Sequence, residues 1–270
     1  MAKLLLSKEV NASLNEEIKA KLAGGSRKLA IVRVGEREDD LSYERGATKR
    51  FATLGMVVEV HALPVDVTEE ELVSCIHKLN DDESVDGILL FRPLPKHLNE
   101  KAIVNELKPS KDVDGITDAS MVSVFKGFGE GFAPCTPSAV MRILEHYDVD
   151  LTGKEVVVVG RSLVVGKPLA MMLLTKNATV TICHTKTKDM AEVTRRADIV
   201  IVAAGKAGVI GKEHVREGQI VIDVGINVDE NGKLCGDVRF DEVSEVVDAI
   251  TPVPGGVGGV TTSILASHLL

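Results

Sequence analysis

The alternation of strand and helix patterns along nearly the whole chain is the feature that most constrains its fold. Apolar strand patterns such as "KLAIVRVG" and "DGILLF" alternate with helix patterns such as "TEEELVSCIHKLN", in which Thr68 and Glu71 form a predicted capping box. Strands that are separated by helices pair in parallel, and the helices then cover both faces of the sheet. The sequence therefore predicts an α/β protein.

Three strand and helix units are complete by residue 91, and a second series of strands then follows a segment rich in turn formers, residues 110–136. A chain of 270 residues suggests two domains at roughly 150 residues each. The tail "ITPVPGGVGGVTTSILASHLL" ends in an apolar helix that is expected to return to the first domain. The predicted division is residues 1–118 with 255–270, and residues 119–254.

Charge and composition exclude several classes of protein. The net charge of -8 disfavours binding to phosphate backbones or anionic lipid, so neither nucleic acid nor a membrane is an expected partner. Apolar stretches such as "IVIVAA" fall short of the roughly 20 residues of a membrane helix, and "MAKLLLSKEV" lacks a signal-peptide pattern, so a cytoplasmic location is expected. The four cysteines lie far apart with no C-x-x-C pair, which predicts reduced thiols and no metal site.

A cofactor-binding turn is predicted within "EVVVVGRSLVVGKPLAMMLL", where Gly160, Ser162 and Gly166 lie between a buried strand and a helix. Small residues let the backbone approach a pyrophosphate, which binds the free N–H groups at the start of the helix. The spacing departs from G-x-G-x-x-G, because Ser162 takes the place of the second glycine and the last glycine comes one position late. A turn that binds nothing is the alternative on this motif alone.

The end of the following strand indicates which dinucleotide would bind. The segment "TICHTKTK" has no Asp or Glu to hold a ribose 2′-hydroxyl, and it offers Thr185, Lys186 and Lys188, with Arg161 in the preceding turn. Cations and a hydroxyl suit a 2′-phosphate. The sequence therefore favours NADP over NAD.

Six stretches occur in the order expected of one family: "DGILLFRPLP", "KDVDG", "PCTP", "VVVVGRSLVVGKP", "VIDVGIN" and "ITPVPGGVG". Through them the chain resembles the methylenetetrahydrofolate dehydrogenase/cyclohydrolase family over nearly its whole length. The resemblance implies a folate-binding catalytic domain at residues 1–118 with 255–270 and a Rossmann-like NADP-binding domain at residues 119–254. It also implies tetrahydrofolate derivatives as substrates and homodimers that form through the cofactor domains.

The resemblance assigns functional roles to individual positions of this chain. NADP contacts are implied at Gly160, Arg161, Ser162, Thr185 and Ile226. Folate contacts are implied at Tyr43, Asp114, Pro254 and Gly255. Two of these are the predicted catalytic residues, because Tyr43 would orient the pterin near the reacting carbon and Asp114 would hold the pterin ring. A half-buried helix tyrosine and a turn aspartate are the ordinary alternatives for the two.

Three positions depart from the family pattern on the folate side. In "DDLSYERGATKR" the position of the family's catalytic lysine falls on Ala47, and in "DGILLFRPLP" Phe91 and Arg92 replace the family's glutamine and the leucine after it. Lys49 lies two residues beyond Ala47, a rotation of about 200° around a helix, so it is expected to be an exposed lysine rather than a substitute base.

The two reactions of the family depend differently on those positions. Oxidising 5,10-methylenetetrahydrofolate removes a hydride and needs orientation of two ligands, whereas hydrolysing the methenyl product needs an acid/base group to activate water. The sequence therefore predicts an NADP-dependent methylenetetrahydrofolate dehydrogenase with doubtful cyclohydrolase activity. Two alternatives stay open: the ordinary bifunctional enzyme that continues to 10-formyltetrahydrofolate, and a non-catalytic NADP-binding regulatory protein.

Overall fold

The computed structural model of the chain describes residues 1–127 and 129–270; Phe128, inside the predicted crossover, lies outside the described residues. The chain divides into two compact units. Unit I consists of Ser13–Cys135 and Thr262–Leu270, and unit II consists of Met1–Ala12 and Thr136–Thr261.

The strands of the described residues are, in chain order, β1 (Lys3–Leu4), β2 (Lys28–Val34), β3 (Val57–Leu63), β4 (Gly87–Leu90), β5 (Glu155–Val159), β6 (Thr179–Cys183), β7 (Ile199–Val202), β8 (Ile220–Asp223), β9 (Asn227–Val228), β10 (Leu234–Cys235) and β11 (Ala249–Ile250). The α-helices are α1 (Ser7–Leu22), α2 (Glu38–Thr53), α3 (Glu69–Asp81), α4 (Glu100–Val104), α5 (Asp118–Lys126), α6 (Cys135–His146), α7 (Gly166–Thr175), α8 (Met190–Arg196), α9 (Phe240–Ser244) and α10 (Thr261–Ser267). Short 3₁₀ turns lie at Pro109–Lys111, Lys212–His214 and Val257–Gly259.

Unit I is built on a parallel sheet with the strand order β3–β2–β4. The central strand β2 and its neighbour β4 are almost entirely buried, as expected of apolar strands with helices on their faces. The predicted capping box of α3 is confirmed, because the Glu71 N–H donates to Thr68 Oγ1 at 3.2 Å and the Thr68 N–H donates to Glu71 Oε2 at 2.9 Å.

Unit II is built on a six-stranded parallel sheet with the order β1–β11–β8–β7–β5–β6. Strands β5 and β7 carry continuous apolar runs and are buried, whereas β9 and β10 form a separate antiparallel pair. The strand order reverses at β5, since β6 pairs with one of its edges and β7 with the other. In such sheets a ligand binds outside the carboxyl ends of the strands at the point of reversal.

The predicted α/β class with parallel sheets is confirmed, while the units differ from the predicted division at their edges. Lys3–Leu4 pair in parallel with β11, so the first residues belong to unit II and not to the first domain. Residues 119–135 belong to unit I, where the Ser120 hydroxyl donates to Asp112 Oδ2 at 2.7 Å. Gly255 to Thr261 belong to unit II, and only the last nine residues of the chain, Thr262–Leu270, return to unit I.

Within the described residues, the structure has no helix that is both long and apolar enough to cross a membrane.

Candidate active site

Tyr43 lies on α2 in unit I, and its hydroxyl faces a group of polar residues. The residue keeps 40% of its surface exposed, and its ring packs edge-on against Phe91 with 5.7 Å between the centroids. The hydroxyl is hydrogen-bonded to Thr262; desolvation, together with the nearby Cys135 and Asp114, raises its pKa well above the ordinary value. Tyr43 therefore stays protonated at neutral pH and can act as a hydrogen-bond donor.

Asp114 lies in the segment that follows the 3₁₀ turn Pro109–Lys111, and the neighbouring Asp112 fixes this segment. The fully buried Asp112 carboxylate accepts the N–H groups of Ile116 at 3.0 Å and of Thr117 at 2.8 Å. Asp114 itself is half-buried, and desolvation raises its pKa to about 6, although the charge of Arg92 and a hydrogen bond with Cys135 work against that increase. At pH 7 the carboxylate is the main form of Asp114.

Cys135 is a buried thiol in contact with the same segment. Its Sγ lies 3.4 Å from the Val113 carbonyl oxygen and is also hydrogen-bonded to the Asp114 carboxylate. Burial and the two nearby aspartates raise the pKa of the thiol, so it remains a neutral donor. The Val113 carbonyl also contacts a ring nitrogen of His268 at 2.7 Å, which ties the chain end to the segment that carries Asp114.

Two of the three departures from the family pattern, Ala47 and Phe91, are apolar and buried in the structure. Ala47, one helical turn after Tyr43, is 1% exposed, and Phe91 is 8% exposed. Neither side chain can donate or accept a proton. Lys49 is exposed on α2, as expected.

Arg92 follows β4 and supplies a positive charge beside Asp114. Its side chain is 27% exposed, and its Nη1 lies 3.9 Å from Glu100 Oε1. The other oxygen of Glu100 accepts the Leu94 N–H at 2.7 Å, so the same carboxylate fixes the backbone just beyond Arg92. Among the influences on the pKa of Asp114, the charge of Arg92 is the largest that lowers it.

In unit II, the turn after β5 has the geometry of a dinucleotide-binding turn. Gly160 has φ +132°, and a Cβ atom added to it would lie 2.2 Å from the Ala203 carbonyl oxygen. A Cβ atom on Gly166, where α7 begins, would lie 2.1 Å from the carbonyl oxygen of Gly160. Ser162 Oγ accepts the Val165 N–H at 3.1 Å, so the predicted second small position shapes the turn. The turn fits a pyrophosphate placed at the start of α7.

The residues predicted to bind a 2′-phosphate follow the carboxyl ends of two neighbouring strands in unit II. Arg161 follows β5 and Thr185 follows β6, and these two strands are parallel neighbours. Arg161, Thr185 and Lys186 are all exposed. The carboxyl ends of β5 and β6 therefore present two cations and a hydroxyl to solvent.

Three further predicted residues line one cavity of about 280 Å³ in unit II. They are Ile226, predicted to contact NADP, and Pro254 and Gly255, predicted to contact folate. The cavity is lined by Asp223, Gly225, Ile226, Leu234 and the segment Pro252, Val253, Pro254, Gly255, Gly256, Val257, Gly258 and Gly259. The predicted sites thus fall into two groups: Tyr43 with Asp114 in unit I, and the remaining predicted residues in unit II.

Comparison with known families covers nearly the whole chain. Residues 4–114 match the family described as "Tetrahydrofolate dehydrogenase/cyclohydrolase, catalytic domain", and residues 134–270 match "Tetrahydrofolate dehydrogenase/cyclohydrolase, NAD(P)-binding domain". The chain belongs to the tetrahydrofolate dehydrogenase/cyclohydrolase family. The predicted resemblance is confirmed, and each unit contains most of one of the family's two domains.

Relatives within the family are similar over their full length. "Bifunctional protein FolD" of Clostridioides difficile is 53% identical over 265 residues, which cover 98% of this chain and 90% of the relative. The protein of the same name from Clostridium botulinum strain 657 is 49% identical and covers 100% of this chain and 98% of its own length.

Two solved structures show the same fold. The bifunctional methylenetetrahydrofolate dehydrogenase/cyclohydrolase of Campylobacter jejuni is 42% identical with a TM-score of 0.95, covering 100% of this chain and 97% of its own. The Trypanosoma brucei enzyme, solved with NADP and an inhibitor, is 34% identical with a TM-score of 0.91, covering 99% and 96%. The predicted NADP cofactor agrees with the NAD(P)-binding domain match and with the ligand of the T. brucei structure.

Proposed function

We propose that this chain is a bifunctional enzyme that oxidises 5,10-methylenetetrahydrofolate with NADP and then hydrolyses the methenyl product to 10-formyltetrahydrofolate. This corrects the expectation of doubtful cyclohydrolase activity, because relatives that cover nearly the whole chain at 49–53% identity are named bifunctional. The observation that carries the proposal is the group Tyr43, Asp114 and Cys135 in unit I. That group also argues against the non-catalytic regulatory alternative.

In the oxidation, the residues of this chain bind and orient. The Asp114 carboxylate accepts hydrogen bonds from the N–H groups of the pterin, and the protonated Tyr43 donates near the one-carbon unit. The Gly160–Gly166 turn would hold the pyrophosphate of NADP, which would supply the hydride acceptor. Because the leaving hydride is expelled by a nitrogen lone pair, this step needs no protein base, and correct placement supplies most of the acceleration.

In the hydrolysis, one water adds to the methenyl carbon and one proton is released. The hydroxyl proton of the intermediate then moves to N5 as the bond between that carbon and N5 breaks. Ala47 and Phe91 cannot assist, and the Asp114 carboxylate is engaged with the pterin ring, so the Tyr43 hydroxyl near the one-carbon unit orients the attacking water and the first proton passes to solvent. Arg92 favours the charged form of Asp114, but as a permanent cation it makes a poor base itself.

NADP is proposed in preference to NAD because Arg161, Thr185 and Lys186 are exposed at the edge where a 2′-phosphate would lie. Changing Arg161 to Ala should lower the ratio of the two specificity constants, measured with NADP and NAD, by about 10-fold. An unchanged ratio would contradict this assignment.

Pairing of two chains through unit II stays a prediction, which light scattering on the purified protein would test.

The proposed function is tested with both folate substrates on the purified protein. NADPH formation is followed from 5,10-methylenetetrahydrofolate, and the loss of methenyl absorbance is followed with enzyme and in buffer alone. Placement of the water against the methenyl carbon predicts hydrolysis at least about 100-fold faster than in buffer. Normal NADPH formation with hydrolysis no faster than in buffer would restore the dehydrogenase-only hypothesis. NADP binding without either reaction would support the regulatory one.

A further inference from the structure

Asp237 has a buried carboxylate whose two oxygens are occupied by backbone and side-chain N–H groups. Its Oδ2 accepts the N–H of Ala204 at 2.6 Å and of Gly205 at 2.9 Å. Its Oδ1 accepts the N–H of Lys206 at 3.0 Å and Asn227 Nδ2 at 2.9 Å. The residue is 0% exposed. One carboxylate therefore joins the segment after β7 to the segment after β8.

A second buried carboxylate, that of Asp223, fixes the backbone at Asp237. Asp223, the last residue of β8, accepts the backbone N–H of Asp237 on Oδ1 at 3.0 Å and that of Val238 on Oδ2 at 3.0 Å. Gly236 lets this contact form, because a Cβ atom there would lie 1.9 Å from Asp223 Oδ2. Asp223 also accepts the Gly225 N–H at 2.9 Å. The two carboxylates thus form a chain of contacts from β8 to the turn at Ala204.

The strand order places these contacts at one particular half of the cofactor site. The order is β6–β5–β7–β8, and a dinucleotide lies across the point of reversal at β5. The end of β6 faces the ribose that carries the 2′-phosphate, so the ends of β7 and β8 face the nicotinamide half. Ile226, which lines the 280 Å³ cavity, lies between the Gly225 and Asn227 contacts of the two carboxylates.

We propose that Asp237 is a positioning residue for the nicotinamide half of the dinucleotide site, because its carboxylate fixes the Ala204–Lys206 turn and Asn227 relative to each other. The proposal rests on the proposed function in one respect, the use of NADP. It assigns Asp237 no contact with the cofactor or the reacting atoms.

The substitution Asp237→Asn tests this with almost no change in volume. An amide offers one oxygen acceptor in place of two, and its NH₂ group would point at backbone N–H donors. At least one pair of those donors loses its acceptor, which allows the turn after β7 and the loop after β8 to move apart. A buried N–H group without an acceptor is strongly destabilising, so the arrangement that binds NADP becomes less stable. The Kd for NADP should therefore rise about 10-fold or more.

Asp229→Asn is the matched control. Asp229 also accepts backbone N–H groups on its side chain, from Asn231 at 2.9 Å and Lys233 at 2.8 Å, but it lies in the exposed segment that joins β9 to β10. Calorimetry measures NADP and 5,10-methylenetetrahydrofolate binding separately for wild type and both variants. Only Asp237→Asn should weaken NADP binding, while its folate Kd stays within about twofold of wild type.

Equal weakening of NADP and folate, or an unchanged NADP Kd, would overturn the proposal. Should Asp237→Asn fail to fold, Asn227→Ala removes one donor at the β8 side and leaves the three backbone bonds in place. It should raise the NADP Kd in the same direction by a smaller factor, and an unchanged Kd would again overturn the proposal. Wild-type protein that does not bind NADP would instead contradict the proposed function, which separates the two failures.

Discussion

Two aspartates, Asp114 in unit I and Asp223 in unit II, have nearly the same pKa and different partners. Burial raises the pKa of each to about 6. Three backbone N–H groups occupy both oxygens of Asp223, whereas Asp114 is hydrogen-bonded to a thiol and lies near the charge of Arg92. Burial is the largest cause of both shifts, so the pKa by itself does not distinguish the two residues. The hydrogen-bond partners show that Asp223 stabilises the fold, while Asp114 has lone pairs that can accept hydrogen bonds from a substrate.

The largest effect is expected from Asp223→Ala. Three buried backbone N–H groups would lose their acceptor, and since each such loss costs about 1–3 kcal/mol, the free energy of unfolding should fall by about 3 kcal/mol or more. Urea unfolding followed by circular dichroism measures this. Asp229→Ala, at an exposed turn, should change it by less than about 1 kcal/mol. Equal midpoints for wild type and Asp223→Ala would refute the structural role.

Asp114→Asn should leave the fold intact and impair the use of folate. The amide cannot accept two charge-assisted bonds from the pterin, so kcat/KM for 5,10-methylenetetrahydrofolate should fall about 100-fold. The Kd for NADP, measured by calorimetry, should not change, because Asp114 belongs to unit I. Weakening of NADP alone, or of both ligands equally, would assign Asp114 to the fold and remove the contrast with Asp223.

Arg92→Leu should produce a smaller effect that appears in the pH dependence. If Asp114 holds the pterin as proposed, folate use requires its carboxylate, and kcat/KM should fall as the pH drops through about 6. The positive charge of Arg92 lowers the pKa of Asp114, and its removal should shift this acid limb to higher pH. Asp112 acts in the opposite direction and is unchanged. Lys49→Leu removes an exposed charge and should not move the limb. An unmoved limb in Arg92→Leu would exclude this role.

Local patterns predicted most of the fold, and the parts that were missed depend on distant contacts. All strands of the two parallel sheets except β1 and β11 follow from apolar periodicity, and the Thr68 cap follows from one four-residue motif. Helix α5 was missed because it is nine residues long and lies in a segment rich in glycine and proline, although Thr117 caps it by accepting the Ser120 N–H at 3.1 Å. Strand β1 was missed because two residues form it only by pairing with β11.

The candidate site likewise contains residues that motifs locate and residues that only contacts distant in the chain bring together. Tyr43, Asp114 and the Gly160 turn could be located from motifs, because a motif preserves the order of residues along the chain. Cys135 was predicted only as a reduced thiol, and its contact with Asp114 depends on how the chain folds back. Asp237 was missed altogether, because the four groups that donate to its carboxylate lie 10 to 33 positions away along the chain.

The central claim is that this enzyme hydrolyses methenyltetrahydrofolate without the lysine and glutamine of the family pattern. Product analysis tests it most directly: 5,10-methylenetetrahydrofolate and NADP are incubated with enzyme, and the folates are separated by chromatography over time. Heat-inactivated enzyme supplied with synthetic methenyl compound gives the spontaneous rate. The bifunctional account predicts that 10-formyltetrahydrofolate accumulates in step with NADPH and well ahead of that control. Accumulation of the methenyl compound, with 10-formyltetrahydrofolate formed no faster than in the control, would contradict it.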